Sequence, residues 1–236
     1  MPRIRKREES LLFLKQLIKN PKSLGALVPS SPALADFMCS HIAFDKTTRV
    51  VEIGAGTGRL TQALLRNGLM TQNLCVVELD HSMCQFLRQN FPHLTIVQGN
   101  ACDLPHLLPK DWPGQVDVVI SGIPMVNLSF EDQSQIVEGC FQSLTFEGKL
   151  LQFTYGPLSP LPSRKLGLKQ KRLGHVLFNF PPATVWQYSR ALPYEKPSKR
   201  SSMGRLKQKG LRQFRRFKKH SLKSILSKDL RNTDAP

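Results

Sequence analysis

Apolar positions recur along the chain with two periods, and the switches between them outline its elements. Residues 8 to 20 set Leu11, Phe13, Leu14, Leu17 and Ile18 on one arc of a helical wheel with Lys15 and Lys19 beside it, which predicts an amphipathic helix ended by Pro21. Ser31-Pro32 supplies a capping residue and a first-turn proline for a helix over 32–42. Short apolar runs then alternate with helical patterns: strand 49–53, helix 59–67, strand 74–78, helix 82–90, strand 95–98. That βαβαβ order demands a parallel sheet covered on both faces. A proline-rich loop over 99–114 leads to strand 116–121, helix 130–144 and strand 149–154, with Gly148 as the break between the last two. Residues 155–170 read as a loop or short helix. The runs His175–Phe180 and Thr184–Ser189 read as a closing antiparallel pair around Pro181-Pro182.

Composition narrows the picture. With 236 residues, 40% of them hydrophobic and 22% charged, the chain has material for one α/β domain and no second enzymatic domain. Lys and Arg total 34 against 17 acids, and the excess is confined to the ends: seven cations and two acids in 1–22, fifteen and three in 190–236, twelve of each in 23–189. The organisation expected is a basic N-terminal helix over 1–22, a domain over 23–190, and a basic tail over 191–236 that is flexible or helical. Cationic ends on a neutral body point to an anionic partner, either a membrane surface or nucleic acid. No apolar stretch reaches the roughly 18 residues that span a bilayer, and the basic start lacks a signal-peptide core, so a cytoplasmic, peripherally membrane-associated protein is expected. Cys39, Cys75, Cys84, Cys102 and Cys140 form no Cys-x-x-Cys and no cluster with histidine, so no metal site is expected and the thiols read as small buried hydrophobes.

The chemistry begins where strand 49–53 runs into Glu52-Ile53-Gly54-Ala55-Gly56-Thr57-Gly58 and a helix follows at once. Glycines at such a turn permit positive φ and close approach of a ligand to the backbone. A nicotinamide fingerprint needs Gly or Ala at position 59, where the chain has Arg, and Glu52 repels a pyrophosphate. S-adenosylmethionine fits better, because it carries no phosphate and its α-ammonium group pairs with an acid directly or through water. Twenty residues past Gly58, strand 74–78 delivers Glu78, the position that holds a ribose diol in this kind of fold, followed by Leu79. Gly99-Asn100-Ala101 presents an amide to an adenine edge, or is an ordinary turn.

Through Glu52-x-Gly-x-Gly-x-Gly58, Val-Val-Glu78-Leu-Asp80 and Gly99-Asn100-Ala101, the chain resembles the seven-stranded, Rossmann-like class I methyltransferases. That resemblance implies a mostly parallel sheet and a cofactor site built from Glu52, Gly54, Ala55, Gly56, Thr57, Gly58, Glu78, Leu79, Asn100, Ala101 and Ser121. Asn100 stands where the superfamily commonly has Asp. The acceptor is expected beyond the strand ends carrying Ser121-Gly122-Ile123-Pro124 and Tyr155. Two families bear on it. The ribosomal RNA adenine dimethyltransferases carry Asn-Ile/Leu-Pro-aromatic after strand four, where this chain reads Gly122-Ile123-Pro124-Met125; a base held there loses a hydrogen-bond partner and a stacking contact of roughly 1 to 3 kcal/mol.

The chain also resembles the bacterial phospholipid N-methyltransferases, over most of residues 11 to 190. The matching blocks are Phe13-Leu14 to Asn20-Pro21 with Val28-Pro29-Ser30-Ser31, then Ser121-Gly122-Ile123-Pro124, Gln152-Phe153-Thr154-Tyr155-Gly156-Pro157, and Asn179-Phe180-Pro181-Pro182-Ala183-x-Val185-Trp186. This resemblance implies methylation of phosphatidylethanolamine, or a related aminolipid, toward phosphatidylcholine at a membrane surface. The N-terminal helix then either inserts into the interface or acts as a lid. Nucleophilic attack needs a neutral amine, yet an ethanolamine ammonium resembles lysine with a pKa near ~10.4. Tyr155 is the first candidate to orient the amine or relay its proton, and the Pro124 carbonyl, beside Gly122, is the second. His175 and Trp186 read as structural. An RNA adenine methyltransferase, its basic tail on RNA, is the alternative. A noncatalytic cofactor-binding protein is a third class, disfavoured because it has no need of the glycine turn, Glu78 and Tyr155 together.

Overall fold

A computed structural model describes residues 31–179 and 181–191. The expected helix over 8–20, the whole of 1–22 and the tail beyond Ala191 lie outside the described residues. Helix α1 (Pro32–Cys39) opens as its sequence dictates, with the Ser31 hydroxyl accepting from the Leu34 N–H at 3.1 Å. The chain then runs β1 (Val50–Ile53), α2 (Arg59–Arg66), β2 (Leu74–Glu78), α3 (His81–Asn90), β3 (Thr95–Gln98), α4 (Leu104–Leu107), β4 (Val116–Ser121), α5 (Phe130–Ser143), β5 (Leu144–Thr154), β6 (Leu168–Val176) and β7 (Ala183–Arg190). One seven-stranded sheet takes the order β3-β2-β1-β4-β5-β7-β6, parallel from β3 to β5, with β7 antiparallel to both of its neighbours. The order reverses between β1 and β4, and the crevice at that reversal, beyond the carboxyl ends of the strands, is where such sheets bind ligands.

Period-2 alternation splits the core in two. Val51, Ile53, Val77 and Val119 pack against α4 and α5, while Val50, Val76 and Ile120 pack against α1 and α2. Glu52 shares the parity of Val50 and so points toward α2.

Two elements depart from the sequence reading. Strand β5 begins at Leu144 and runs through Gly148, which is therefore not a break. Its register against β4 shifts between Val116 and Val118, and a Cβ on Gly148 would come within 2.9 Å of the Leu144 Cβ and 3.0 Å of the Val116 carbonyl oxygen. The glycine accommodates an irregular strand, which in sequence looks the same as a helix terminator. Strand β6 occupies Leu168–Val176, not His175–Phe180, and residues 177–182 form the turn into β7. As the outermost strand it exposes Lys169, Gln170, Lys171 and Arg172 in succession, which erases the alternation that marks a half-buried strand; such charges also protect an open edge. A short helix, α4, also stands within the span read as a proline-rich loop.

Candidate active site

The turn from β1 into α2 holds Gly54, Gly56 and Gly58 at φ of 70°, 53° and 77°, a region costly for any residue with a Cβ. Their surroundings differ in an informative way. A Cβ on Gly54 would strike Ile123 at 2.6 Å, and one on Gly58 would strike Phe91 at 2.7 Å, whereas one on Gly56 would meet nothing within 4 Å. Gly54 and Gly58 are thus dictated by packing, and Gly56 fronts open space. Ala55 is half-buried and Thr57 exposed on the same turn.

Two carboxylates flank the turn. The Glu78 side chain, only 2% exposed, accepts from the Gly56 N–H on Oε2 and from the Asp80 N–H on Oε1, each at 2.9 Å. Each oxygen keeps a second lone pair for a hydroxyl donor. Glu52 is fully buried: its Oε2 accepts from the Thr61 hydroxyl at 2.6 Å and its Oε1 has no partner. Burial raises its pKa to about 7, against the lowering pull of the Thr61 hydrogen bond and with a further rise from the Glu78 charge. A buried carboxylate with an orphaned oxygen, a second carboxylate with free lone pairs and an unobstructed glycine suit a ligand that brings a cation and a diol. S-adenosylmethionine brings both. Leu79 is half-buried beyond Glu78. Asn100 caps the short helical turn Ala101–Asp103, its Oδ1 accepting from the Cys102 N–H at 3.1 Å, which leaves its NH2 group as the donor; Ala101 is buried.

The loop after β4 abuts the glycine turn. The Gly122 N–H donates to the Ile53 carbonyl at 2.9 Å, and a Cβ on Gly122 would stand 2.4 Å from the Gly54 oxygen, so no larger residue fits. Ser121 is fully buried, its hydroxyl accepting from the Ile123 N–H at 3.2 Å. The Pro124 carbonyl accepts from the Asn127 N–H at 3.0 Å, so one lone pair remains for another donor. Met125 is 1% exposed. Gln152 figured in the sequence only within a matching block, with no role read for it; it is a buried polar residue on β5 whose Nε2 donates to the Ile123 carbonyl at 2.9 Å and fixes this loop. Its signal was a polar residue in an otherwise apolar strand.

Tyr155, just past β5, is half-buried; burial raises its pKa, opposed by a hydrogen bond with the Asn179 side chain. Asn179, 2% exposed, also accepts from the Ser31 N–H at 2.8 Å and donates to the Pro181 carbonyl at 2.6 Å. The Thr184 hydroxyl donates to the Gly156 carbonyl at 2.6 Å and lies 2.9 Å from His175 Nδ1. Three blocks far apart in sequence, at Ser31, Tyr155-Gly156 and Asn179-Pro181, therefore converge on one side chain. Asn179 appeared in sequence only as part of a block, with no local sign of its role. Trp186 is 9% exposed within the core. None of the five cysteines forms a disulfide, and among the described residues no three His, Cys, Asp or Glu side chains gather as a metal site.

Sheet order and glycine turn together are those of the Rossmann-like fold of the class I methyltransferases. Residues 50–148 match the methyltransferase-domain family. The sheet superposes with a TM-score of 0.53 on the glycopeptide N-methyltransferase MtfA crystallised with S-adenosylmethionine, at 14% identity over 70% of this chain and 96% of that one. Residues 50–148 thus form a methyltransferase domain, with S-adenosylmethionine as its cofactor. Among curated relatives, the ornithine lipid N-methyltransferase of Singulisphaera acidiphila is 29% identical over 153 residues, 64% of this chain and 80% of that protein. The ribosomal RNA small subunit methyltransferase A of Parabacteroides distasonis is 34% identical over 158 residues, 62% of this chain and 58% of that protein. Its Porphyromonas gingivalis counterpart is 32% identical over 48% of this chain and 42% of its own length. The chain therefore spans only about half of the ribosomal RNA enzymes it matches.

Proposed function

We propose that the protein transfers methyl groups to the amine of an aminolipid, phosphatidylethanolamine or an ornithine-type relative, at a membrane surface. The observation that carries this reading is the loop Gly122-Ile123-Pro124-Met125: position 122 has no side-chain amide, and the residue after Pro124 is a buried methionine with no ring to stack a base. The extent of the match to the ornithine lipid enzyme, four-fifths of its length, supports the same side.

In this reading Gly56 gives room for the cofactor at the turn, Glu78 takes its ribose hydroxyls, Glu52 faces its ammonium end, and the Asn100 NH2 group meets its adenine. Bound there, S-adenosylmethionine supplies a sulfonium methyl open to in-line attack. The acceptor amine comes from the side of Gly122, Pro124 and Tyr155, at the ends of neighbouring strands β4 and β5. Because burial keeps the Tyr155 phenol protonated at neutral pH, it orients the amine through its oxygen lone pairs and does not serve as a phenolate base. The free lone pair of the Pro124 carbonyl is a second acceptor for an amine N–H, and together the two aim the nitrogen lone pair at the methyl.

The test is transfer of labelled methyl from S-adenosylmethionine to phosphatidylethanolamine in mixed micelles, run beside unmethylated small-subunit ribosomal RNA. Label in the lipid is expected. Label in RNA with none in any aminolipid would overturn the reading.

A further inference from the structure

Seven large hydrophobic side chains stand exposed among the described residues, and five of them lie on the loops at one edge of the sheet. Val126 (58% exposed) and Phe130 (51%) follow β4, Leu158 (78%) follows β5, and Leu177 (75%) and Phe178 (92%) occupy the β6–β7 turn. Strands β4, β5, β7 and β6 are consecutive neighbours, and β6 runs the same way as β5, so all of these loops emerge at the carboxyl edge, the edge of the proposed acceptor site. At about 4.8 Å per strand the span is about 15 Å. A groove of about 430 Å³ opens within it between Phe130 and the Ser159–Pro162 segment, with the Lys165 ammonium 5.8 Å from the Phe130 ring centre. Scattered apolar residues need no explanation, but a cluster along one functional edge does.

Charge complements the cluster. Between Glu147 and Glu195 the chain has no Asp or Glu, while Arg164, Lys165, Lys169, Lys171 and Arg172 are all exposed. Half of the body's twelve cations thus follow Gly148: Lys165 lies at the groove beside Phe130, and Lys169, Lys171 and Arg172 line the edge strand β6 that leads up to Leu177. Nucleic acid would use the cations, but Val126, Leu158 and Leu177 offer no π-face to a base and gain only by leaving water.

We propose that this rim seats in the interface of an anionic lipid bilayer, with Leu177 and Phe178 inserted among the acyl chains and the flanking cations on the headgroups, so that the mouth of the acceptor site faces its substrate in the plane of the membrane. The proposal rests on the aminolipid reading for its purpose, and it concerns the folded domain alone, apart from the basic ends. Apolar insertion survives salt that screens the ends.

The probe is Phe178→Trp in the full-length protein, a change at a nearly fully exposed position; the native Trp112 and Trp186 are 6% and 9% exposed and form a steady background. On vesicles containing phosphatidylglycerol at high salt, its emission should shift to the blue and be quenched by brominated acyl chains. The double variant Leu177→Ser/Phe178→Ser should lose on the order of tenfold or more of the salt-resistant vesicle binding while keeping cofactor affinity. Unchanged emission on vesicles that bind the protein, or undiminished salt-resistant binding of the double variant, would overturn the proposal. So would a blue shift with RNA in place of lipid. Quenching without methyl transfer to any aminolipid would sustain the rim and defeat the substrate reading; methyl transfer with a silent probe would do the reverse.

Discussion

Burial holds the Glu52 carboxyl at a pKa of about 7, above its ordinary 4.5, and that places a pH dependence on stability at a single residue. The unfolded chain sheds this proton near 4.5 and the folded one near 7, so folding loses stability as pH rises through that window and the full cost stands above it. The shift corresponds to roughly 3 kcal/mol. Glu52→Gln, which keeps the shape and the Thr61 partner, should therefore melt higher than the parent at pH 8, with the gap closing by pH 4; thermal melts across that range check it. Tyr155 makes the second residue-scale prediction. Its hydroxyl, paired with Asn179, orients and does not ionise, so Tyr155→Phe should lower kcat on the order of tenfold to a hundredfold while leaving the pH profile of the remaining activity in place. That profile should rise with pH toward the pKa of the lipid amine in both proteins. A profile moved by the substitution would make the phenol the base. Gly56 is the third: it has open space before it and a φ of 53°, so Gly56→Val should abolish saturable S-adenosylmethionine binding by calorimetry, as Glu78→Ala should by removing the diol acceptor.

At the scale of elements, the site depends on loops tied to one another by buried polar side chains. Asn179 holds the start of α1 and the β6–β7 turn in place beside Tyr155, and Asn179→Ala would leave the half-buried Ser31 N–H without this acceptor, a cost of about 1 kcal/mol read as a lowered Tm. The elements themselves were legible in sequence wherever burial was two-sided. Strands β2 and β4 appear over the residues their apolar runs predict, because a strand covered on both faces has few polar positions to confuse the pattern; β3 also appears where predicted, though as an edge strand it exposes Thr95 and Gln98. The glycine turn was legible for a different reason: Gly54, Gly56 and Gly58 are each forced by backbone or by packing. Legibility failed at β6, where an edge strand exposes four polar residues in a row, and at Gly148, where a bulge mimics a stop. The Asn179 junction was also hidden, since a contact between residues 148 positions apart leaves no local trace.

For the whole molecule, sequence counting gave a neutral body between cationic ends, and the fold adds that the body's own charge is divided. All twelve acids of residues 23–189 precede Gly148, whereas half of its twelve cations follow it, on the side of the sheet that ends in β6. Among the described residues no helix is long and apolar enough to cross a membrane. Methyl transfer to an aminolipid is measured most directly in cells. The full-length chain is expressed in a bacterial host that makes phosphatidylethanolamine but none of its methylated derivatives, and the extracted lipids are analysed by mass spectrometry, with Gly56→Val as the inactive control. N-methylated phosphatidylethanolamine is expected in cells carrying the parent chain and none with the control; an unmethylated lipid profile from a protein that binds S-adenosylmethionine, in a host where ornithine-type lipids are also supplied and stay unmodified, would refute methyl transfer to an aminolipid.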